Sequence, residues 1–368
     1  MANGELLAES TVVDLIRERA AASPASVAVE LISLDSTIAL SYAELLSKAD
    51  AGAALIASRV RVGPGVIIAQ CVPDGPECAI SLLSILFTAS AFTPVDLAQP
   101  EERIRYQLLD AACEAILCHA ADAPHVRRIL GSETSIVVLD VAELLVCAPA
   151  ATENRAVPRA SDLCWVYYTS GTTGRPKGVL VEHAAAANYA RYHPLLSIRT
   201  DVDSVRMLCA SAFTFDPFVG DLFGCLCTGA TFCLAPRRLV LADFDALLVQ
   251  SRATHACSTP AVWGRIALHQ MKWLRVLGLG GEVISAALLA QWWPWLEVSR
   301  TRLFNMYGTT ECTVYQVSSP PLWNCCGAPF SNRSSCAAVR CYCCMQCAVP
   351  PHSSGSIVGK LRIAAGHP

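Results

Sequence analysis

The chain has 368 residues, of which 53% are hydrophobic and 16% are charged, and its formal net charge is -3. This length and apolar content allow a large buried core, in one large domain or two smaller ones. The charge balance excludes a basic face for nucleic acid, and residues 1–20 lack the cationic start and apolar stretch of a secretory signal.

The first elements predicted along the chain are two amphipathic helices with a strand hairpin between them. Apolar residues recur at three- and four-residue spacing over Thr11–Arg19 and Ser41–Arg59, and Glu44 completes a capping-box pattern that begins at Ser41. Residues 27–40 alternate between apolar and polar and contain a short polar turn, which is typical of a hairpin.

A long uncharged stretch follows. Cys78–Val95 contains 18 residues without a charge, a length that reaches the lower limit of a membrane span. Its serines and threonines, together with Pro94, favour a buried helix that continues into a strand. We therefore expect no membrane partner.

Strand-like and helical patterns then alternate. Apolar, β-branched runs at 66–72, 115–120 and 135–141 are interspersed with helical stretches such as Glu101–Cys113. This alternation predicts an α/β fold of layered, largely parallel sheets with flanking helices. We expect a first α/β subdomain over residues 1–204 and a second over residues 205–316.

The cysteines point to a reducing compartment. Of the 19 cysteines, twelve are scattered over residues 1–320, most of them in apolar surroundings. Isolated, buried cysteines are typical of reduced thiols in the cytosol. The sequence therefore predicts a cytoplasmic location.

A polar, glycine-rich loop lies between the predicted strand Trp165–Tyr168 and Val179–Tyr192, which begins extended and becomes helical. Glycines let a backbone approach a ligand closely, while hydroxyls, exposed amides and the charges of Arg175 and Lys177 suit a polyphosphate. The loop is not a Walker A loop, because no Gly-Lys-Ser/Thr triplet opens a helix. The alternative is a simple surface turn. The expected phosphate ligands are Thr169, Ser170, Gly171, Thr172, Thr173, Gly174 and Lys177.

Four segments, in this order, resemble the motifs of the adenylate-forming enzymes, the superfamily of acyl-CoA synthetases, luciferases and the adenylation domains of nonribosomal peptide synthetases. They are YTSGTTGRPKGV (168–179), ASAFTFDPFVGDLF (210–223), VLGLGGEVIS (276–285) and FNMYGTTECTVYQ (304–316). The resemblance covers residues 10–316 and implies the N-terminal large domain of that fold. It also implies attack of a substrate carboxylate on the α-phosphate of ATP, which yields an acyl adenylate and pyrophosphate.

The resemblance implies ATP and Mg²⁺ as cofactors and assigns roles to single residues. Glu311 would hold the Mg²⁺ that bridges the phosphates, and Thr310 would donate to the α-phosphate. Taken alone, Glu311 is equally compatible with a solvated loop acid. The other implied nucleotide contacts are Tyr307 stacked on adenine, Asn305 and Gly281 at the polar edge of the base, and Lys177 and Thr172 on the leaving pyrophosphate.

Asp216 separates the branches of the superfamily. In adenylation domains for α-amino acids, an aspartate at this place pairs with the substrate ammonium, and an anion in an apolar pocket is costly unless a cation pairs with it. The alternative is an Asp216 that caps a turn before Pro217, in an acyl-CoA synthetase-like ligase. The implied pocket is uncharged, which favours an apolar substrate side chain, and three glycines are expected to leave room in it. Its lining is Pro217, Gly220, Cys257, Gly278, Gly280, Met306, Val314 and Tyr315.

The character of the chain changes after Gln316. Residues 312–368 contain no Asp or Glu, and seven cysteines lie between Cys325 and Cys347. A zinc cluster would need separate C-x₂-C units, but the two units here share Cys344. We expect residues 317–368 to be a sequence that no packed fold has shaped, such as a shifted reading frame.

Gly355–Pro368 resembles the start of the next family motif, and no counterpart of the family's small C-terminal domain, its catalytic lysine or its carrier domain follows. The sequence therefore predicts a truncated, catalytically impaired adenylation domain of the nonribosomal peptide synthetase type. Its substrate would be an amino acid, and its partner in the intact family a phosphopantetheine carrier domain. The alternative is an inert remnant that binds ATP and amino acid.

Overall fold

The computed structural model describes residues 9–33, 36–73, 75–132, 134–146, 156–170, 175–202 and 204–319, and the two-residue strand 340–341. Within these residues, helices pack on two sheets that are mostly parallel, which confirms the predicted α/β fold.

The helices are α1 Val12–Ala22, α2 Tyr42–Arg59, α3 Pro76–Leu86, α4 Glu101–Asp110, α5 Ala123–Leu130, α6 Val141–Val146, α7 His183–Arg191, α8 Asp216–Thr228, α9 Arg237–Ala242, α10 Phe244–Gln250, α11 Pro260–Trp263 and α12 Ala286–Val298, with single 3-10 turns at Leu268–Gln270 and Thr310–Cys312. The strands are β1 Val27–Ile32, β2 Thr37–Ser41, β3 Ile67–Gln70, β4 Ala91–Pro94, β5 Ala115–Cys118, β6 Val137–Asp140, β7 Leu163–Thr169, β8 Lys177–Glu182, β9 Arg206–Cys209, β10 Thr231–Leu234, β11 His255–Ser258, β12 Val276–Gly280, β13 Arg302–Tyr307, β14 Val317–Ser319 and β15 Arg340–Cys341.

Helix α2 begins with the capping box that its sequence indicates, and α1 begins with a capping box as well. The Ser41 hydroxyl accepts from the Glu44 amide, and the Glu44 carboxylate accepts from the Ser41 amide at 2.8 Å. Thr11 and Asp14 form the same reciprocal pair at the start of α1. These bonds satisfy amides that the first helical turn leaves without partners, so they fix where each helix begins.

The uncharged stretch 78–95 is a core element. It forms most of α3 and then the fully buried strand β4. In the described part of the chain, no helix combines the length and the apolar character that a membrane span requires.

The smaller sheet has the strand order β6-β5-β3-β4-β7-β8 and is parallel except for its antiparallel edge pair β7–β8. The larger has the order β15-β14-β13-β12-β11-β9-β10-β1-β2, with a parallel centre and antiparallel edges. Strand β1 joins the larger sheet by pairing with β10, Val29 opposite Phe232. Sheet pairing thus crosses residue 204, and the division into 1–204 and 205–316 stays a prediction.

Helix α8 is buried between the two sheets. Phe223 packs on Trp165 of β7 with ring centroids 5.8 Å apart, and Phe218 packs edge-on against Phe232 of β10 at 5.6 Å. Helix α8 begins at Asp216, so the packing that holds this helix also fixes the position of that carboxylate.

The predicted tail, residues 317–368, lies mostly outside the described residues, including all of Gly355–Pro368. Its described parts are β14 and β15, which extend the edge of the larger sheet. The idea that no packed fold shaped this segment stays a prediction.

Candidate functional site

The site lies at one edge of the larger sheet. Strands β9, β11, β12 and β13 run parallel, so they all end at the same edge. Three of the four sequence motifs follow these ends: residues 210–216 after β9, Gly281 after β12, and residues 308–316 after β13. Ligands of open α/β sheets bind at the carboxyl ends of parallel strands.

The glycine-rich loop joins β7 to β8, with Thr169 paired to Lys177 at its base. Gly171, Thr172, Thr173 and Gly174 lie outside the described residues. Of the predicted ligands that are described, Ser170 and Lys177 are exposed and Thr169 is half-buried.

Two contacts connect the loop to the rest of the site. The Tyr167 hydroxyl of β7 donates to the Phe213 carbonyl at 2.9 Å, which ties the strand before the loop to the segment that enters α8. Strand β8, which begins at Lys177, lies against the turn Thr310–Cys312. The structure therefore brings three of the motifs together.

Asp216 is a buried carboxylate that is not fully satisfied. Its side chain is 8% exposed, and its Oδ2 atom has no hydrogen-bond partner among the described residues. Burial raises the pKa of Asp216 to about 6, against the lowering effect of the Thr310 side chain and the Val314 backbone, and the charge of Glu311 raises it further. The helix N-cap is Phe215 and Asp216 is the first residue of the helix, so Asp216 does not occupy the N-cap position.

The predicted pocket lining comes together, but its glycines do not leave open space. A Cβ on Gly220 would lie 2.9 Å from both Val314 Cγ1 and the Tyr189 ring. One on Gly278 would lie 2.8 Å from Cys257 Sγ. Our expectation of room beside these glycines is wrong, because close-packed neighbours occupy it.

The third glycine is packed in the same way. A Cβ on Gly280 would stand 3.1 Å from Met306 Cβ and 3.2 Å from the Tyr315 ring. The Cys257 thiol donates weakly to the Tyr315 hydroxyl at 3.6 Å, and Pro217 lies half-buried in the first turn of α8. The eight residues predicted to line the pocket carry no charge.

The predicted adenine contacts are on the surface. The β12–β13 register pairs Leu279 with Asn305 and Gly280 with Met306, so Gly281 and Tyr307 come next to each other at this edge of the sheet. Tyr307 is 65% exposed, which leaves its ring open to a stacking partner. Gly281 has a φ of 80°, which glycine adopts without strain.

Glu311 is exposed in the 3-10 turn beside Asp216. The described residues contain no group of three or more His, Cys, Asp or Glu side chains suited to hold a metal ion by themselves. Mg²⁺ usually binds through one or two carboxylates together with substrate phosphates. An exposed carboxylate in a turn that lies against the start of β8 fits that arrangement.

Several residues at the site were not expected from sequence. His193 and Asp221 form a fully buried pair at 3.0 Å; His193 Nδ1 accepts from the Leu195 amide, so Nε2–H donates to Asp221. Burial raises the pKa of Asp221, and His193 opposes that rise. The pair anchors the segment whose Leu195 side chain covers Gly278. His193 lies outside the quoted motifs, whereas Asp221 lies within the segment 210–223 and Gln316 ends the segment 304–316, both without an assigned role.

These features define an α/β protein with a candidate ligand site at the carboxyl edge of a parallel sheet. A family model described as AMP-binding enzyme matches residues 16–357, and the chain belongs to this family.

Its relatives include nonribosomal peptide synthetases. Tyrocidine synthase 2 of Brevibacillus parabrevis is 34% identical over 75% of this chain and 7% of that protein. Nonribosomal peptide synthetase ecdA of Aspergillus rugulosus is 29% identical over 84% of this chain and 4% of that protein. Novobiocin biosynthesis protein H of Streptomyces niveus is 33% identical over 77% of this chain and 47% of that protein. The chain thus spans less than half the length of each of these relatives.

Solved structures share the fold. The N-terminal subdomain of Klebsiella oxytoca NpsA, in complex with 3-hydroxybenzoyl-AMSN, superposes with a TM-score of 0.72 at 21% identity, over 84% of this chain and 76% of that one. VinN in complex with 3-methylaspartate gives a TM-score of 0.69 at 20% identity, over 86% and 82% of the two chains. The fold is therefore that of the N-terminal subdomain of adenylate-forming enzymes.

Proposed function

We propose that this chain binds ATP and an α-amino acid and joins them into an aminoacyl adenylate, with release of pyrophosphate, for nonribosomal peptide synthesis. The observation that carries the proposal is the buried Asp216 carboxylate, whose Oδ2 lacks a partner among the described residues. It lies beside the turn that carries Thr310 and Glu311. An anion that is costly to bury becomes favourable when a cation pairs with it, and the ammonium group of an amino acid supplies one.

In this proposal the chain's residues mainly position the reactants and neutralise charge. Asp216 would hold the ammonium group, so that the substrate carboxylate faces the α-phosphate, and Thr310 would donate to an α-phosphate oxygen. Lys177 and the hydroxyls and amides of the glycine-rich loop would hold the pyrophosphate as it leaves. Holding two reactants in attack geometry removes much of the entropic barrier.

Glu311 is the proposed protein ligand for Mg²⁺, which would supply charge neutralisation on the phosphates when bound. Tyr307 would stack on adenine, with Asn305 and Gly281 at the polar edge of the base. The support is the exposed Tyr307 ring and the position of these residues at neighbouring strand ends.

The proposed substrate side chain is apolar, because the residues that line the pocket carry no charge. Since neighbouring side chains fill the space beside Gly220 and Gly278, the shape of the substrate pocket would be set by Cys257, Met306 and Tyr315 rather than by the glycines.

The proposed partner is a phosphopantetheine carrier domain. Support comes from the peptide synthetase relatives and from a structural neighbour that is an artificially fused adenylation-PCP di-domain, NpsA-ThdA. Most of the free cysteines among the described residues are buried, which supports a reducing, cytoplasmic compartment.

The test is exchange of labelled pyrophosphate into ATP by the purified chain, with a panel of amino acids and their deaminated acids. The proposal predicts exchange that depends on an apolar amino acid. Exchange driven equally well by the deaminated acid would favour an acyl ligase. Absence of exchange with every acid, while ATP still binds, would leave a binding-only protein.

A further inference from the structure

The segment between β13 and β14 folds back on itself around one side chain, Gln316. The Gln316 Oε1 atom accepts from the Thr309 amide at 2.8 Å. Its Nε2 atom donates to the carbonyls of Cys312 and Val314, both at 3.0 Å. The Gln316 backbone amide also donates to the Tyr307 carbonyl at 3.0 Å. Gln316 thus bonds to Tyr307 at the end of β13 and to three residues of the turn, Thr309, Cys312 and Val314.

The turn that Gln316 spans is strained. Thr313 and Val314 have φ angles of 67° and 68°, although both are β-branched. Such residues rarely adopt positive φ, and they keep it only where surrounding contacts enforce it. Gly308 is one such constraint, because a Cβ there would stand 1.9 Å from the Val314 carbonyl oxygen. The side-chain amide of Gln316, which donates to the same oxygen, is a second constraint.

This turn connects the two halves of the candidate site. It carries Thr310, whose side chain lowers the pKa of Asp216 through a hydrogen bond, and Glu311, whose charge raises that pKa. It also carries Val314, whose methyl groups cover Gly220 in α8. A change in the conformation of the turn would therefore move the proposed Mg²⁺ ligand and the pocket wall together.

We propose that Gln316 is a positioning residue, whose side-chain amide holds the strained turn so that Thr310 and Glu311 face the nucleotide. The effect on nucleotide binding rests on the proposed function, whereas the hydrogen bonds of Gln316 do not depend on it. A glutamine suits the task because its amide both accepts and donates, whereas glutamate only accepts and methionine of similar length does neither well.

The first experiment needs no nucleotide. Amide hydrogen exchange of the peptide covering residues 307–316 is compared in the parent, Gln316→Ala and Gln316→Met, with Gln291→Ala on the exposed face of α12 as the matched control. The Thr309 amide bonds to Gln316 Oε1, so both Gln316 variants should exchange there about tenfold faster or more. The buried strands β11 and β12 should keep their protection. Parent-like exchange in Gln316→Met would overturn the proposal, because packing alone would then hold the turn.

The second experiment measures ATP·Mg²⁺ affinity in a double-mutant cycle with Glu311→Gln. Gln316→Ala should weaken binding about tenfold in the parent and less in the Glu311→Gln background, since part of its effect passes through that carboxylate. Equal losses in both backgrounds would show general destabilisation and contradict a positioning role. A parent chain that fails to bind ATP·Mg²⁺, but shows the predicted exchange, would contradict the proposed function and not the bonding of the turn.

Discussion

Asp216 is the residue whose chemistry depends most on where it lies. Burial raises its pKa to about 6, so the side chain changes charge within an experimentally accessible pH range. Only the ionised carboxylate attracts an ammonium group.

We therefore expect amino-acid affinity to fall by about tenfold per pH unit below pH 6, as Asp216 becomes protonated, and to level off above it. The ammonium and carboxylate of the amino acid stay ionised between pH 5 and 7, so a change in this window belongs to the protein. Titration calorimetry across this range provides the measurement, with Asp216→Asn as the variant that should bind weakly at every pH. A flat profile in the parent would argue against an ionised Asp216 as the ammonium partner.

Lys177 tests the phosphate loop. It is exposed at the start of β8, and Lys177→Ala should weaken ATP binding by about 1.5–3 kcal/mol, the usual value of one hydrogen bond to a charged group. The matched control is Lys272→Ala, which removes another exposed lysine. Lys272 lies four residues before the start of β12, whereas the candidate site follows the end of that strand. Equal affinities of the two variants would remove Lys177 from the phosphate site.

Single side chains were predictable from the sequence to different degrees. The position of Asp216 as a carboxylate that needs a partner was predictable, because an acid in an apolar segment is costly to bury alone. The role of Gln316 was not, because it depends on a turn whose two positive φ angles no residue type signals. The glycines of the pocket were misjudged because a missing Cβ has two possible consequences, open space or a closely packed neighbour, and only the fold decides between them.

Helices and strands were easier to predict than the roles of single side chains, because capping and hydrophobic periodicity depend only on residues close in the sequence. Helices α1 and α2 begin where their capping boxes are, and the 18-residue apolar stretch is a helix and strand of the core. Which strands pair is not local information. Strand β1 pairs with β10, about two hundred residues away, and no pattern within either strand specifies that partner.

The capping box of α2 allows a direct test at this scale. Ser41→Ala should lower the free energy of unfolding by about 1 kcal/mol, since the amides of the first helical turn lose a partner. Ser47→Ala, on the exposed side of the same helix, should be neutral or slightly stabilising because alanine favours helix. Denaturant titration of both variants provides the comparison. An equal effect of the two would mean that the cap adds nothing to the stability of the helix.

At the scale of the whole molecule, the two sheets share a core through α8. Phe223 lies 5.8 Å from Trp165 and 6.4 Å from Phe92, while the same helix packs on β10 of the larger sheet. We infer that neither sheet is stable without this helix.

Phe223→Ala should therefore destabilise both sheets together, by about 3–5 kcal/mol. Amide hydrogen exchange in β7 and in β9 should increase by a similar factor. Phe215→Ala, which truncates a ring that is 65% exposed, serves as the control and should change neither. Loss of protection confined to one sheet would show that the two sheets are separate cooperative units.

The central claim is that this site selects an amino acid through its ammonium group. The most direct test is the affinity of an apolar amino acid and of its deaminated acid for the parent and for Asp216→Ala, measured with ATP·Mg²⁺ present. The account predicts that the parent prefers the amino acid, and that the variant loses about 3–5 kcal/mol of amino-acid binding while its binding of the deaminated acid changes far less. Equal losses for both ligands, or a parent that prefers the deaminated acid, would contradict it.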